Sequence, residues 1–401
     1  MRKPILSAAL AATAALGLAT ATVAAATAAP QAASSRAHAA RVCATPSSPT
    51  VAACHALKLV DASGQPVSPS GRSVTPQAIS GKTPADIQSA YKLTGLKSGG
   101  RTVALVDAYG YPNAERDLGV YRSQWGLSAC TVASGCLTIV NQSGGTSLPR
   151  FDAGWAGEQA LDLDAVSATC PDCKILLVQA SSASIANLGK AVSTAAAHAG
   201  VVAISNSYGG GDLADSSYGA NYNHPGIAVT ASTGDNGYQG GSFPSSSQYV
   251  TAVGGTSLVA DSSTRGWSES AWSGAGSGCT TLNGAPAGQT SAMTSCSGRA
   301  IADVSAVADP QTGLATYAPT TKTSSSWAQY GGTSLSAPII AAVYALSGNT
   351  AGSANAIPYA HTSGLFDVTS GSNGSCASWC TAKSGWDGPT GLGTPNGTSG
   401  F

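Results

Sequence analysis

Charge is scarce in this chain: Asp, Glu, Lys and Arg make up 9% of 401 residues, and 19 acidic residues offset 19 basic ones. Such a surface offers no electrostatic grip to nucleic acid or an anionic membrane, so neither is expected as a partner. Long apolar runs are missing too, apart from one near the N-terminus, and there is no internal repeat. That run follows Arg2 and Lys3, is mostly alanine, and reaches Ala26-Thr27-Ala28 just before Ala29-Pro30. A basic start, an uncharged middle and small residues at the end read as a secretory signal peptide over residues 1–28. Alanine in place of leucine or valine argues against a retained transmembrane anchor. The run meets no cysteine until Cys43, which argues against a lipoprotein.

Cysteine and glycine, by contrast, are plentiful. The 49 glycines, with many serines and threonines, imply tight turns and a polar surface of the kind common in exported proteins. The ten cysteines fall into near neighbours: Cys43 with Cys54, Cys130 with Cys136, Cys170 with Cys173, Cys279 with Cys296, and Cys376 with Cys380. An even count and local clustering favour five small disulfide loops in an oxidising compartment. Cys170-Pro171-Asp172-Cys173 also has metal-ligand spacing, but it lacks a second pair or a nearby histidine.

Residues 29–80, rich in Ala, Ser and Pro, show little apolar periodicity and read as a short pro-segment or N-terminal arm. Residues 81–401 read as one domain. Within it, continuous apolar runs at 102–107, 174–179, 201–205, 227–232 and 249–253 read as strands buried on both faces. Ile185, Leu188, Val192 and Ala195 step through 184–199 at helical spacing, and Gly200 stops that helix. Strand–helix–strand alternation predicts an α/β fold built on a doubly wound, mostly parallel sheet. Sites in such sheets gather at the carboxyl ends of the strands.

Gly331-Gly332-Thr333-Ser334-Leu335-Ser336-Ala337-Pro338 runs straight into the apolar segment 339–346. It reads as a glycine turn delivering a serine onto the first turn of a buried helix, with Pro338 in that turn, where its missing N–H costs nothing. The helix dipole favours a nucleophile there, and an ordinary Ser/Thr cap fits the same pattern.

Histidine is a poor candidate for the base. Of the 5 in the chain, His38 and His55 lie in the arm, His198 ends a helix, His224 precedes Pro225, and His361 is isolated in the tail. Carboxylates are better placed. Glu158 and Asp162 stand four residues apart in an otherwise apolar helical stretch and so share a face, although an exposed acidic turn has the same spacing. Asp164 lies about 200° around the axis from Asp162 and cannot join them. Two such carboxylates would share a proton, giving a base that works in acid. Asp235, in Ser232-Thr233-Gly234-Asp235-Asn236-Gly237, follows a predicted strand. It suits a turn, and also a protonated donor to a developing oxyanion.

Glu158-x-x-Leu161-Asp162, Ser232-Thr233-Gly234-Asp235 and Gly332-Thr333-Ser334 with Pro338, in that order, resemble the sedolisin family of serine-carboxyl peptidases. Thr83-Pro84-Ala85-Asp86 with Tyr91, Ser205-Asn206-Ser207-Tyr208-Gly209, the stretch 249–256 and Asp303-Val304-Ser305 extend the likeness over roughly 83–395. The resemblance implies a subtilisin-like fold, with Ser334 as nucleophile, Glu158 as general base, Asp162 tuning Glu158, and Asp235 completing the oxyanion hole. It also implies that Ser207, Tyr208, Gly209 and the segment 267–278 line the cleft for a protein or peptide substrate. The expected enzyme is a secreted, acid-active monomeric endopeptidase, free of the membrane once the leader is removed.

In the tail, Asp367-Val368 and Lys383-Ser384-Gly385-Trp386-Asp387 resemble the family's calcium site. The implied ligands are the side chains of Asp367 and Asp387 and the carbonyls of Val368, Lys383 and Gly385, an oxygen set that suits one structural Ca2+. The chain departs from the family at Gly331, usually serine, at Lys383, frequently glycine, and in its short pro-segment. Two other readings stand beside this one. One is a silent relative acting as a binding or surface protein. The other is a subtilisin-type enzyme using Asp107, for which no histidine partner is present.

Overall fold

The computed structural model describes residues 37–349, 352–376 and 379–401, so the leader expected at 1–28 lies outside the described residues. In chain order the elements are β1 (His38–Arg41), β2 (Ala53–Cys54), β3 (Leu57–Val60), α1 (Pro84–Ala90), β4 (Thr102–Ala108), α2 (Ala114–Gln124), β5 (Leu137–Asn141) and α3 (Ala153–Thr169). There follow β6 (Lys174–Ala180), α4 (Ile185–Ala196), β7 (Val201–Asn206), β8 (Tyr208–Gly209), α5 (Asp215–Tyr218), β9 (Ala228–Ser232), β10 (Thr251–Ala260) and β11 (Trp267–Ala271). Then come β12 (Gly278–Thr280), α6 (Ser291–Thr294), β13 (Arg299–Ile301), β14 (Val304–Val307), β15 (Leu314–Pro319), β16 (Ser325–Gly331) and α7 (Thr333–Ser347).

The central sheet runs β11-β10-β9-β7-β4-β6-β5, with β14 also paired to β10. Its pairings are parallel except β10 with β11. The five apolar runs are its core strands, and β4 is buried along its whole length, as continuous hydrophobicity requires. The largest departure from expectation is β10, which continues well past residue 253. Gly254 and Gly255 look like a stop in sequence, yet they keep the strand while Pro389 and Ala308 press against it where side chains would stand.

Crossover helices cover the sheet. Ser184 caps α4 by accepting from the Asn187 N–H at 3.2 Å. Gly200, at φ +85°, turns the chain into β7. Two helices are embedded rather than amphipathic. α3 is buried from Trp155 to Thr169 and α7 from Thr333 to Leu346, and the two pack against each other. Polar residues on either helix are therefore held dry.

The arm is ordered along the body. β3 pairs antiparallel with β1 on one side and β16 on the other, in a sheet of order β1-β3-β16-β15. All five disulfides pair as their spacing predicted. Among the described residues no helix is long and apolar enough to cross a membrane.

Candidate active site

Ser334 is the second residue of α7 and fully buried. The turn before it requires glycine: Gly332 has φ +91°, and a Cβ there would strike the carbonyl oxygen of His55. Asp235 holds the start of the helix. Its Oδ1 accepts from the Thr333 N–H at 2.8 Å and from the Thr333 hydroxyl at 3.0 Å, satisfying a donor that the helix leaves free. Pro338 is not in the first turn as expected. Helix formation begins at Thr333, so proline sits inside the helix. Its missing N–H would have bonded the carbonyl of Ser334, four residues back. That carbonyl instead lies 3.3 Å from the Ser207 hydroxyl.

Glu158 and Asp162 come from α3 and reach the same place. Asp162 Oδ1 accepts from the Ser207 hydroxyl at 2.8 Å, while the Ser334 hydroxyl donates to the Ser207 carbonyl at 3.1 Å. One residue, Ser207, thus ties the carboxylate pair to the serine. Both Glu158 oxygens are buried without a hydrogen-bond partner among the described residues. Burial, then the charges of Asp162 and Asp107, push its pKa well up, and the neighbouring Ser334 hydroxyl pulls the other way. Asp162 is raised too, by burial first and Asp107 second, against the Ser207 bond. Asp235 is pushed up to about 7, by burial, against its Thr333 bonds and the charge of Arg41. Its Oδ2 is buried and has no hydrogen-bond partner among the described residues. Three acids with raised pKa values therefore gather near one serine.

Ser207, Tyr208 and Gly209, expected to line the cleft, follow directly on β7 and include β8. Tyr208 and Gly209 are not bare: they pair antiparallel with Cys54 and Ala53 of the arm. Of the segment 267–278, Gly276 closes on the turn before Asp235, accepting no side chain against the backbone of Thr233 and Gly234.

No protein-family model matches the chain. Kumamolisin of Bacillus sp. (strain MN-32) is 32% identical over 357 residues, covering 79% of this chain and 62% of that protein. Tripeptidyl-peptidase sed1 of Aspergillus fumigatus is 39% identical over 108 residues, 25% of this chain and 16% of that one. Among solved structures, the Pseudomonas sedolisin, a serine-carboxyl proteinase solved with pseudo-iodotyrostatin, superposes with a TM-score of 0.65 at 24% identity, covering 79% and 96% of the two chains. The chain belongs to the sedolisin family. It spans less than two thirds of the length of kumamolisin.

Two groups near the site of this sedolisin were not assigned to it from sequence. Asp107, which the sequence offers only to a subtilisin-type reading without a histidine, lies at the end of β4. Both its oxygens are buried without a partner among the described residues, burial raises its pKa to about 8, and its charge bears on both Glu158 and Asp162. An acid raised this way adds stability below its unfolded pKa of about 4, and loses it as pH rises toward the folded value. Asp107→Asn is therefore expected to leave the melting temperature nearly unchanged at pH 4 and to raise it by several degrees at pH 7. Equal shifts at both pH values would argue against a protonated acid. The second group is His55, whose Nδ1 lies 2.7 Å from the Ser232 hydroxyl. The ring engages Ser232 while Ser334 donates to Ser207, so His55 is not arranged as its base.

In the tail, Asp367 Oδ2 accepts from the Gly385 N–H at 3.0 Å and the Ser384 hydroxyl at 3.1 Å. Asp387 accepts from the Lys383 N–H at 3.1 Å, and from the Thr390 N–H and hydroxyl at 2.9 and 2.8 Å. Its pKa is raised to about 6, by burial first, with the charge of Asp367 adding to the rise. The two acids thus face each other across one loop, and no salt bridge among the described residues offsets them. A hard cation with oxygen preference fits that pair. Among the described residues no three His, Cys, Asp or Glu side chains gather as a metal group, so backbone carbonyls would have to complete the set.

Proposed function

We propose that this sedolisin is a secreted serine-carboxyl endopeptidase active in acid, with Ser334 as nucleophile, Glu158 as general base, Asp162 as its orienting partner and Asp235 as oxyanion donor. The observation that carries the reading is the meeting of two buried α3 carboxylates with the buried α7 serine. A serine hydroxyl needs a base, and a buried carboxyl pair sharing a proton supplies one at low pH. Rotation of the Ser334 hydroxyl from the Ser207 carbonyl toward Glu158 would start the reaction. Protonated Asp235, with its free Oδ2, and the Ser334 N–H would then stabilise the tetrahedral oxyanion. The substrate would lie as an added strand along Ser207, Tyr208 and Gly209. Hydrolysis of a denatured protein across pH, with wild type beside Ser334→Ala, tests the assignment. A silent relative acting as a binding protein would retain no such rate, and it has no evident reason to keep all four groups.

A calcium ion held by Asp367, Asp387 and the carbonyls of Val368, Lys383 and Gly385 would neutralise the facing acids. When bound, it supplies stability and no chemistry. Binding to the native state alone raises stability by mass action, by about 2.7 kcal/mol at a hundredfold excess over Kd. Removing calcium with a chelator is therefore expected to lower the melting temperature by several degrees. An unchanged melting temperature in protein shown to contain the metal removes this site.

A further inference from the structure

The chain between β11 and β12 lies outside the strands, yet residues 274–277 are the bed on which the Asp235 turn rests. The Gly276 N–H donates to the Gly234 carbonyl at 2.7 Å, and the Gly237 N–H to the Gly274 carbonyl at 2.9 Å. The Gln239 and Gly240 N–H groups both donate to the Ser277 carbonyl, at 3.1 and 3.3 Å. The Asp235 side chain has one hold of its own, through Oδ1 on Thr333. Where its other oxygen points is therefore set by the main chain of 234–240, which 274–277 holds in turn.

One side chain bolts these two layers together. Asn373 is 4% exposed. Its amide donates to the Ala275 carbonyl and to the Ser277 hydroxyl, both at 2.7 Å, while its main-chain carbonyl accepts from the Tyr238 N–H at 3.2 Å. That carbonyl oxygen closes on Gly237, where a Cβ would come within 2.4 Å of it. Asn373 belongs to a short ribbon. Ser372 faces Thr381 in an antiparallel bridge, the Asn373 N–H donates to the Cys380 carbonyl at 2.9 Å, and the Ala382 N–H to the Gly371 carbonyl at 3.0 Å. The Cys376–Cys380 bridge closes the ribbon. Beside it, Trp379 packs edge-on against Tyr238, ring centroids 6.1 Å apart, and against Trp386 at 5.3 Å. A buried amide needs partners wherever it stands, but these partners are the two layers that carry Asp235.

We infer that Asn373 is a positioning residue for Asp235, and that the ribbon closed by Cys376–Cys380 is the brace that keeps 274–277 and 234–240 shut over its Oδ2. The inference rests on the oxyanion role proposed above. A carboxyl donates to an oxyanion only if it is aimed and protonated, and a dry surrounding keeps it protonated as pH rises. The groups facing Asp235 come from three elements. Thr333 of α7 bonds it, its charge bears on Glu158 of α3, and Arg41 of the arm lowers its pKa. His55, whose carbonyl meets it at Gly332, stays neutral down to about pH 3. Asn373 bonds none of these. Losing the brace therefore acts through the hydration of Oδ2, and lets the Asp235 pKa fall toward the ordinary carboxylate range.

The test compares Asn373→Ala, the double variant Cys376→Ser/Cys380→Ser and Ser277→Ala with wild type, and takes Asn355→Ala as control. Asn355 is as deeply buried, at 5%, and donates to the Gln248 and Val250 carbonyls. Two quantities are read in folded protein: kcat/KM on a short peptide across pH, and the titration of the Asp235 carboxyl. The titration is followed by 13C NMR in Ser334→Ala protein and assigned by its loss in Asp235→Asn. Asn373→Ala and the cysteine pair should move the alkaline limb and the titration down together by at least about one pH unit. The ratio of kcat/KM at pH 4 to that at pH 7 then grows about fivefold. Ser277→Ala should move both the same way by less, and Asn355→Ala should lower the melting temperature and move neither. An unmoved titration in Asn373→Ala, or in the cysteine pair and Ser277→Ala if Asn373→Ala does not fold, overturns the inference. So does an equal movement in Asn355→Ala. Wild-type protein that hydrolyses no peptide removes the peptidase reading, and the titration then decides the brace by itself.

Discussion

Ser334→Ala, Glu158→Gln and Asp162→Asn are each expected to reduce turnover at least about a hundredfold, and the double variant Ser334→Ala/Glu158→Gln to be hardly worse than Ser334→Ala alone. If Ser334 and Glu158 act as nucleophile and base on one proton, losing either removes the same step. Stability should change little. The Ser334 hydroxyl makes one bond, to the Ser207 carbonyl, worth about 1 kcal/mol. Glu158 and Asp162 are buried acids with raised pKa values, so a neutral amide of the same shape replaces a group that is itself largely neutral in acid. Turnover on a short peptide substrate, beside a thermal melt for each variant, checks both halves. Near-wild-type turnover by Ser334→Ala would remove the mechanism, and additive losses in the double variant would separate serine and carboxylate into independent roles.

The elements legible in the sequence were those whose signal is local. Continuous apolar runs gave the core strands of the sheet because parallel strands are buried on both faces and need no partner to be recognised. Glu158 and Asp162 were legible because four-residue spacing puts them on one helix face whatever surrounds the helix. What sequence alone missed depends on distant neighbours. The start of α7 is fixed by Asp235, 98 residues away in sequence, which is why proline falls inside the helix instead of at its mouth. Asp107 joins the carboxyl cluster because β4 ends beside α3, a proximity that no spacing rule encodes. The arm carries almost no periodicity of its own. Its order comes from pairing with β8 and β16, and His55 finds its partner Ser232 across 177 residues.

Acid should suit this protein in two ways, and the rate profile is the sharper test. Asp235 can donate to an oxyanion only while protonated, and burial lifts its pKa to about 7. Below that value the Asp235 carboxyl is protonated and able to donate; above it, in the proposed mechanism, a second negative charge would stand where the intermediate develops its own. kcat/KM should therefore peak in the acid range and fall through about pH 7. A histidine base would give the opposite trend, failing below about pH 6.5. Stability moves in the same direction. Glu158, Asp162, Asp107 and Asp235 all bind protons more tightly folded than unfolded. Each contributes fully below about pH 4 and loses that contribution, by up to about 1.4 kcal/mol per pH unit, as pH rises toward its folded value. The loss of activity toward neutrality must therefore be measured where the enzyme is still folded. Asp235→Asn separates the two effects, because an amide keeps a donor at every pH. In that variant the ratio of rates between pH 4 and pH 8 should collapse, even if the acid rate itself drops. A wild-type profile that climbs steadily to pH 8 in folded protein, or an Asp235→Asn profile with the wild-type alkaline limb intact, would take the oxyanion role away from Asp235.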